Sequence, residues 1–282
     1  MADILQQLAD HARFRTEEAK KLAAPEKVRE EAERLAAEDP GPFRFEQALS
    51  GQGISFICEI KQASPSKGQI WTCTSDRHLF TCTSDRHLFK FPYLEIAKEY
   101  EAAGAECISV LTEPKWFKGD GEFLREITQE VKTPCIRKDF TVDEYMIYEA
   151  KVLGASAVLL ICSILDESTL SSYIRIADSL GMSSLVEAHD GEEIRMAADA
   201  GARMIGVNNR NLKDFTVDVT NSGKLRSLVP EGVLFVAESG IRTAQDVQLL
   251  WEIGTDACLV GETLMRAEDK GAMLRQLRGL DG

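Results

Sequence analysis

Short apolar runs alternate with longer amphipathic segments from residue 54 almost to the end of this chain. The apolar runs carry few polar residues between them, which is typical of strands that are buried on both faces. The predicted strands are Ile54–Ile60, Cys107–Leu111, Cys135–Arg137, Ala157–Ile161, Ser184–Val186, Met204–Val207, Val233–Ala237 and Ala257–Val260. The segments between them space their apolar residues as helices do, and the clearest are Tyr93–Ala103, Val142–Leu153, Ser168–Leu180 and Gln245–Ile253.

From Cys107 onward the predicted strands recur every ~20–30 residues, which is about the size of one βα unit. Several helical segments end in a Gly-Ala pair, such as Gly104-Ala105 and Gly154-Ala155, and glycine suits the left-handed position after a helix. Repeated βα units of this size predict an α/β protein with a closed (β/α)8 TIM barrel. An open doubly wound sheet remains the alternative.

The chain is predicted to form a single barrel domain over residues 1–282, with an N-terminal helical extension over residues 1–50. One segment breaks the rhythm. The nonapeptide TCTSDRHLF occurs twice in succession over residues 72–89, between the first strand and its helix. We interpret it as an insertion in the first βα loop. Its Cys73, His78, Cys82 and His87 do not have the usual zinc-finger spacing, so no metal site is predicted.

A formal net charge of −13 over 282 residues makes the chain acidic. An acidic surface repels nucleic acids and anionic membranes, so we expect neither as a partner. A site for an anionic metabolite must then be locally basic. The apolar stretches are far shorter than the ~20 residues of a membrane span. The seven cysteines lie mostly in apolar runs and fit a reducing compartment, so we predict a cytoplasmic protein.

Charged residues end several of the apolar strands, and in a barrel the C-terminal ends of the strands converge on the active site. Glu59 and Lys61 share one side of the first strand, Lys138 ends the third and Glu187 ends the fifth. Close lysines and glutamates have shifted pKa values, as general acids and bases require. These four form the candidate catalytic set, and an internal salt-bridge network is the structural alternative. His189 can face the same mouth or hold a neighbouring group.

The ends of strands seven and eight resemble a phosphate grip, because barrels often bind phosphate with these two loops. Gly240 and Gly261 let backbone N–H groups approach an anion, although both glycines could simply form tight turns. The polar loop Ser64–Gly68 follows the first strand. Its hydroxyls and Lys67 could hold a carboxylate or phosphate, with an ordinary turn as the alternative.

Seven stretches resemble the indole-3-glycerol phosphate synthase family, in family order and over almost the whole chain except Thr72 to about Lys90. They are Phe56–Gly68, Ile108–Gly119, Ile136–Phe140, Leu185–His189, Ile205–Leu212, Ala237–Ile241 and Leu259–Arg266. The resemblance implies the decarboxylating ring closure and dehydration of 1-(2-carboxyphenylamino)-1-deoxyribulose 5-phosphate to indole-3-glycerol phosphate. It also implies a carboxy-lyase of tryptophan biosynthesis that needs no cofactor. We expect a monomer or a weak homo-oligomer.

The same resemblance implies roles for individual residues. Lys138 is similar to the general acid at the carbonyl oxygen, and Glu187 to the group that stabilises the cationic intermediate or removes a proton. The implied roles of Glu59 and Lys61 are acid–base chemistry and substrate orientation, not divided between them. Polar residues expected to contact the substrate are Asn208, Arg210 and Ser239. Residues expected around its carboxylate and phosphate are Ser64, Lys67, Gly240, Gly261 and Glu262. The expected apolar wall consists of Trp116, Phe117 and Phe140.

Two other functions are compatible with the repeat. One is a loop-altered barrel with an activity like phosphoribosyl-anthranilate isomerase, against which the acid–base pattern argues. The other is a non-catalytic scaffold that displays the inserted peptide, against which the complete catalytic set argues.

Overall fold

A closed barrel of eight parallel strands forms the centre of the computed structural model, which describes residues 4–39, 41–71, 91–210, 216–218 and 220–280. The strands are β1 Ser55–Ile60, β2 Cys107–Leu111, β3 Cys135–Lys138, β4 Ala157–Ile161, β5 Ser183–Ala188, β6 Met204–Asn208, β7 Leu234–Glu238 and β8 Ala257–Val260. Each pairs with its neighbours in chain order, and β1 also pairs with β8. This closure confirms the predicted (β/α)8 barrel and excludes the open sheet.

Helices precede the barrel and cover its outer face. In the described chain they are α1 Ile4–Leu22, α2 Pro25–Glu38, α3 Arg44–Leu49, α4 Tyr93–Ala102, α5 Gly121–Glu130, α6 Glu144–Val152, α7 Glu167–Ser179, α8 Gly191–Asp199, α9 Asn221–Leu225, α10 Ala244–Glu252, α11 Glu262–Arg266 and α12 Lys270–Leu277. Short 3-10 turns occupy Cys162–Ile164 and Arg226–Leu228, and Ala63–Ser64 pairs with Gly68–Gln69 after β1. The duplicated segment over residues 72–89 lies outside the described residues. The same holds for its Cys73, His78, Cys82 and His87, which were considered as possible metal ligands.

Local chemistry explains where the helices begin and end. Asp120, Asp143, Asp166 and Asp190 each precede a helix and accept a hydrogen bond from a backbone N–H of its first turn. Such caps satisfy N–H groups that have no partner within the helix. At the other end, Gly104 and Gly154 have φ values of 78° and 85°. These positive angles confirm the predicted glycine caps.

Alternate strand residues divide the core into two layers. Inward side chains such as Ile57, Ile136 and Leu185 fill the barrel, whereas outward ones such as Phe56 and Ile108 pack under the helices. The last inward position is polar on several strands, so the barrel core ends in a layer of charge. Because side chains alternate between the two faces of each strand, the polar residues at the inward positions of the strand ends all face the C-terminal opening of the barrel.

The opposite end of the barrel is closed by α3. Its Phe45 and Leu49 are almost fully buried within the inner core. The Ser55 hydroxyl at the start of β1 donates to the carbonyl of Leu49, and the Ser183 hydroxyl at the start of β5 accepts from the backbone N–H of Glu46. This apolar plug leaves the C-terminal end as the open one.

Several strands extend further than their apolar residues predicted. β3 includes Lys138, which pairs with Leu111 of β2, and β5 includes Glu187, which pairs with Ile161 of β4. Ladder hydrogen bonds involve only the backbone, so pairing continues past the apolar run into the functional residues. Among the described helices, none is both long and apolar enough to cross a membrane.

Candidate active site at the C-terminal end of the barrel

A cavity of about 570 Å³ opens at the C-terminal ends of the strands. All the predicted site residues line it except Lys67 and Trp116. The lining ones are Glu59, Lys61, Ser64, Phe117, Lys138, Phe140, Glu187, Asn208, Arg210, Ser239, Gly240, Gly261 and Glu262. Residues far apart in sequence therefore meet at one place, as the strand-end argument predicted.

Lys138 lies at the centre of a buried ion cluster. Its Nζ is 3.2 Å from Oε2 of Glu187 and 3.1 Å from Oε2 of Glu238. The side chains of both glutamates are at most 3% exposed. The other oxygen of Glu187 accepts a hydrogen bond from Nδ2 of Asn208 at 3.2 Å. Four strands thus supply one network around a single ammonium group.

The two glutamates around Lys138 differ in acidity. Burial raises the pKa of Glu238 to about 7, the Lys138 charge opposes that rise, and the Glu187 carboxylate adds to it. Burial would also raise the pKa of Glu187, but Lys138 and then His189 hold it below its usual value. For Lys138 burial acts to lower the pKa, and Glu238, Glu187 and Glu59 outweigh it and raise the pKa. The site therefore keeps Lys138 protonated, Glu187 ionised and Glu238 able to titrate near neutrality.

Glu238 is the main functional residue that the sequence argument missed. It is the last residue of β7 and follows an apolar run, as Glu187 does near the end of β5. A charged residue at the end of an apolar strand is therefore the sequence signal that could have identified it. Room for its carboxylate comes from Gly206 on β6, where a Cβ would overlap Oε1 of Glu238. That oxygen is buried and has no hydrogen-bond partner within the described chain.

A second pair lies beside the first. Lys61 donates a hydrogen bond to Oε1 of Glu59, as the predicted same-side placement requires. A Cβ on Gly261, directly after β8, would overlap this carboxylate and would reach within 2.8 Å of Nζ of Lys61. Gly261 is therefore required by close approach of side chains, in addition to any role toward an anion.

Basic groups gather at the rim around Glu262. Nε of Arg266 is 3.1 Å from its carboxylate, Nη2 of Arg210 is 3.9 Å away and Nζ of Lys67 is 4.0 Å away. Arg266 also lines the cavity, as does Arg242, and neither was predicted. This rim meets the requirement that an acidic protein bind an anion at a locally basic site.

Ser239 and Gly240 turn the chain sharply after β7, with φ values of 69° and 83°. A left-handed conformation is unfavourable for serine, and such strain gathers at functional sites. Both residues of this turn line the cavity.

The aromatic wall is partly as predicted. Phe117 and Phe140 face each other with ring centroids 6.2 Å apart, and both line the cavity. Trp116 is not among the residues that line the cavity, although it packs against the same apolar cluster as Phe140, so its expected place in the wall stays a prediction. Its ring contacts His11 edge-on, with ring centroids 5.3 Å apart, and lies under the ammonium of Lys115. Lys67 likewise reaches the rim and not the lining, because its side chain extends toward Glu262.

Helix α1 contributes a surface that the sequence argument did not assign to the site. Its Ile4, Leu5 and Leu8 line the cavity. Arg15 pairs with the buried Asp139 at 2.7 Å, and His11 pairs with the buried Glu113 at 3.2 Å. These two contacts hold the helix on the loops that carry Phe117 and Phe140.

The fold and the site define a class of protein: a (β/α)8-barrel enzyme with a lysine–carboxylate cluster, an aromatic wall and a basic rim at the C-terminal mouth. Residues 85–277 match the family model described as indole-3-glycerol phosphate synthase. An indole-3-glycerol phosphate synthase of Ruminiclostridium cellulolyticum is 51% identical over 98% of this chain and 99% of the relative. One from Leuconostoc mesenteroides is 52% identical over 84% of this chain and 85% of the relative. The chain belongs to the indole-3-glycerol phosphate synthase family.

Similarity to solved structures supports the fold alone. A 3-hexulose-6-phosphate synthase from Salmonella typhimurium superposes with a TM-score of 0.62 at 14% identity, over 80% of this chain and 98% of that one. Thiamine phosphate pyrophosphorylase from Pyrococcus furiosus gives a TM-score of 0.53 at 20% identity, over 80% of this chain and 94% of that one.

Proposed function

We propose that this cavity carries out the family reaction, the decarboxylating ring closure of 1-(2-carboxyphenylamino)-1-deoxyribulose 5-phosphate to indole-3-glycerol phosphate. The single observation that carries the proposal is the ammonium of Lys138, held by two buried carboxylates in a cavity with an aromatic wall and a basic rim. The ring carbon that bears the carboxylate attacks the ribulose carbonyl, carbon dioxide leaves, and loss of water completes the indole.

Lys138 is the proposed general acid at the carbonyl oxygen. Its neighbours raise its pKa, so that it carries the proton that the developing alkoxide requires. A charge buried in a site with little water stabilises the alkoxide more strongly than it would in bulk water. Glu238 and Glu187 hold the ammonium in place, which makes Glu238 a positioning residue in this scheme.

Glu187 is the proposed partner of the positive charge that forms on the ring nitrogen during closure. It is ionised, and Asn208 fixes one of its oxygens by a hydrogen bond. The same carboxylate can remove the proton that restores aromaticity in the last step. Glu59 and Lys61 lie beside this region and assist acid–base chemistry and substrate orientation.

The rim and the aromatic wall are the proposed binding surfaces. The anthranilate ring packs between Phe117, Phe140 and the apolar face of α1, which gives it a largely water-free surface. Backbone N–H groups near Gly240 and Gly261 hold the phosphate, and Arg210 and Ser64 contact the carboxylate. A cytoplasmic location fits this chemistry, and five cysteines of the described chain are buried free thiols.

The test is indole-3-glycerol phosphate formation, followed by fluorescence, in the unsubstituted chain and in Lys138→Ala. Removing the acid is expected to lower kcat by about 10³-fold, within the range for general acid–base catalysis. Lys132→Ala removes an exposed lysine just before β3 and is the matched control.

Retention of activity by Lys138→Ala within tenfold would contradict the assigned role. Turnover of phosphoribosyl anthranilate in place of ring closure would contradict the reaction itself. Binding of the substrate, measured separately, distinguishes a loss of chemistry from a loss of affinity.

A further inference from the structure

The reaction consumes a proton that the buried cluster must obtain from elsewhere. The substrate carboxylate leaves as carbon dioxide without a proton. The carbonyl oxygen needs one proton to become a hydroxyl, and that hydroxyl needs a second to leave as water. One proton returns when the carbon next to the ring nitrogen loses its hydrogen. The balance is one proton taken up in each turnover, and this reasoning rests on the proposed function.

His189 lies where such a proton could be stored. It follows β5 two residues after Glu187, and its Nε2 is 3.4 Å from Oε1 of that carboxylate. Nε2 is buried and makes no hydrogen bond to any residue that the structure describes. Catalytic hydrogen bonds are often long in the absence of substrate, and a small movement would close this gap.

The outer side of the imidazole faces the surface. Nδ1 of His189 is 3.1 Å from Oε2 of Glu193 on α8, and that oxygen also accepts the backbone N–H of His189 at 2.7 Å. The hydroxyl of Ser163 donates to the other oxygen of Glu193 at 2.6 Å and lies 3.2 Å from Nδ1. The side chain of His189 is 21% exposed, so solvent reaches the ring.

We propose that His189 stores the proton that each turnover consumes and delivers it to Lys138 through Glu187. The imidazolium gives its Nε2 proton to Oε1 of Glu187. The carboxyl group then rotates about its Cγ–Cδ bond, so that the protonated oxygen faces Nζ and passes this same proton to the amine that Lys138 becomes after it protonates the substrate. His189 is left neutral with its proton on Nδ1, where Glu193 accepts the hydrogen bond. The ring is protonated again from solvent before the next substrate binds.

The charges around His189 favour its protonated form. Burial acts to lower its pKa, but the hydrogen bond to Glu193 and the charges of Glu187, Glu193 and Glu238 together raise it. The other titratable groups facing this region are Asp190 before α8, the Cys162 thiol on the adjoining 3-10 turn and Lys138 on β3. The pKa of His189 is therefore raised from its ordinary value, which favours storage of the proton.

The test is the single-turnover rate against pH for the unsubstituted chain and for His189→Gln. Glutamine can still bridge Glu187 and Glu193 but cannot carry a proton at neutral pH. We expect the rate to fall by about 100-fold near neutrality, at the low end for acid–base groups. The loss of rate above the histidine pKa should vanish, and imidazole should restore activity to His189→Ala but not to Lys138→Ala.

His11→Gln is the matched control, because His11 also pairs with a buried carboxylate through Nδ1. The shape of its pH profile should equal that of the unsubstituted chain. Glu238 also titrates near neutrality, so the histidine pKa is measured independently from the ¹⁵N shifts of the His189 ring. If His189→Gln does not fold, Glu193→Gln provides the test. Loss of the Glu193 charge lowers the pKa of His189, so the fall in rate should begin at a lower pH than in the unsubstituted chain.

A His189→Gln rate and profile within twofold of the unsubstituted chain would overturn the proposal, because a hydrogen-bonding role alone would then suffice. An unmoved profile in Glu193→Gln would overturn it as well. Absence of ring closure in the unsubstituted chain would instead overturn the proposed function, and the proton store with it.

Discussion

The two ends of the barrel are built from the same eight strands and yet have opposite chemistry. At the N-terminal end, Phe45 and Leu49 of α3 close the barrel with apolar side chains that are at most 1% exposed. At the C-terminal end the equivalent inward positions are Lys138, Glu187 and Glu238. One end is arranged to keep the strands together, and the other holds charges that a stable core would exclude.

The cost of the charged end is visible in individual atoms. Oε1 of Glu238 is buried without a hydrogen-bond partner in the described chain, and burial raises the pKa of this carboxyl to about 7. Ser239, the next residue, has a left-handed backbone. The ends differ in buried charge more than in backbone strain, because Phe43 before α3 also has a positive φ, of 60°, whereas the buried lysine–glutamate cluster lies at the end that carries the chemistry. Substitutions at each end should then separate stability from activity.

Phe45→Ala at the apolar end should have the largest effect on stability. Truncating a fully buried phenylalanine removes its transfer free energy and leaves a cavity, which costs about 3–5 kcal/mol. We expect this decrease in urea unfolding, with kcat nearly unchanged at temperatures where the variant is folded. A similar loss in kcat without loss of stability would contradict the division between the two ends.

Glu238→Gln at the charged end should change how stability depends on pH. The pKa of Glu238 is raised from 4.5 to about 7 in the folded chain, so the native state keeps a proton that the unfolded chain has lost. The stability from this neutral carboxyl is present below pH 4.5 and is lost as the pH rises to about 7. Glutamine removes that loss, so the variant should gain up to about 3 kcal/mol over the unsubstituted chain between these limits.

The measurement is urea unfolding of Glu238→Gln and of the unsubstituted chain at several pH values. The quantity compared is the difference between their free energies of unfolding. A difference that stays constant with pH would show that Glu238 titrates at its ordinary pKa. Because Glu238 also positions Lys138, a lower kcat is expected alongside the gain in stability.

Ser239→Gly should give the smallest change, and with opposite signs for stability and activity. Glycine adopts a φ of 69° without the steric penalty of a side chain, so the folded state should gain about 1 kcal/mol. The lost hydroxyl lines the cavity, so kcat/KM should fall. Thermal unfolding and steady-state kinetics check the two effects, and a decrease in both would show that the hydroxyl also stabilises the turn.

Much of this architecture was predictable because its signals are local. The strands Cys107–Leu111, Ala157–Ile161 and Ala257–Val260 have the bounds predicted from their apolar residues. The positions of Glu59, Lys61, Lys138 and Glu187 at the ends of apolar strands predicted that they share one cavity, and all four line it. The catalytic roles of these residues stay predictions until the variants are measured.

The rest could not be predicted because it depends on distances between elements. Nothing near Glu238 in the sequence says that it, and not another strand-end residue, touches Lys138 one hundred residues earlier. Trp116 and Phe117 are neighbours in sequence, yet only Phe117 lines the cavity, whereas the Trp116 ring contacts His11 of α1.

The amino-acid sequence alone determined that this chain makes a parallel barrel with polar strand ends, since periodicity, caps and strand length are set within a few residues. Tertiary structure decided which charges meet, which aromatic rings line the cavity, and that α1 contributes to that lining. The physical reason is that partners across a barrel are chosen by closure, register and the space left by residues such as Gly206 and Gly261, and these exist only once all eight strands are assembled.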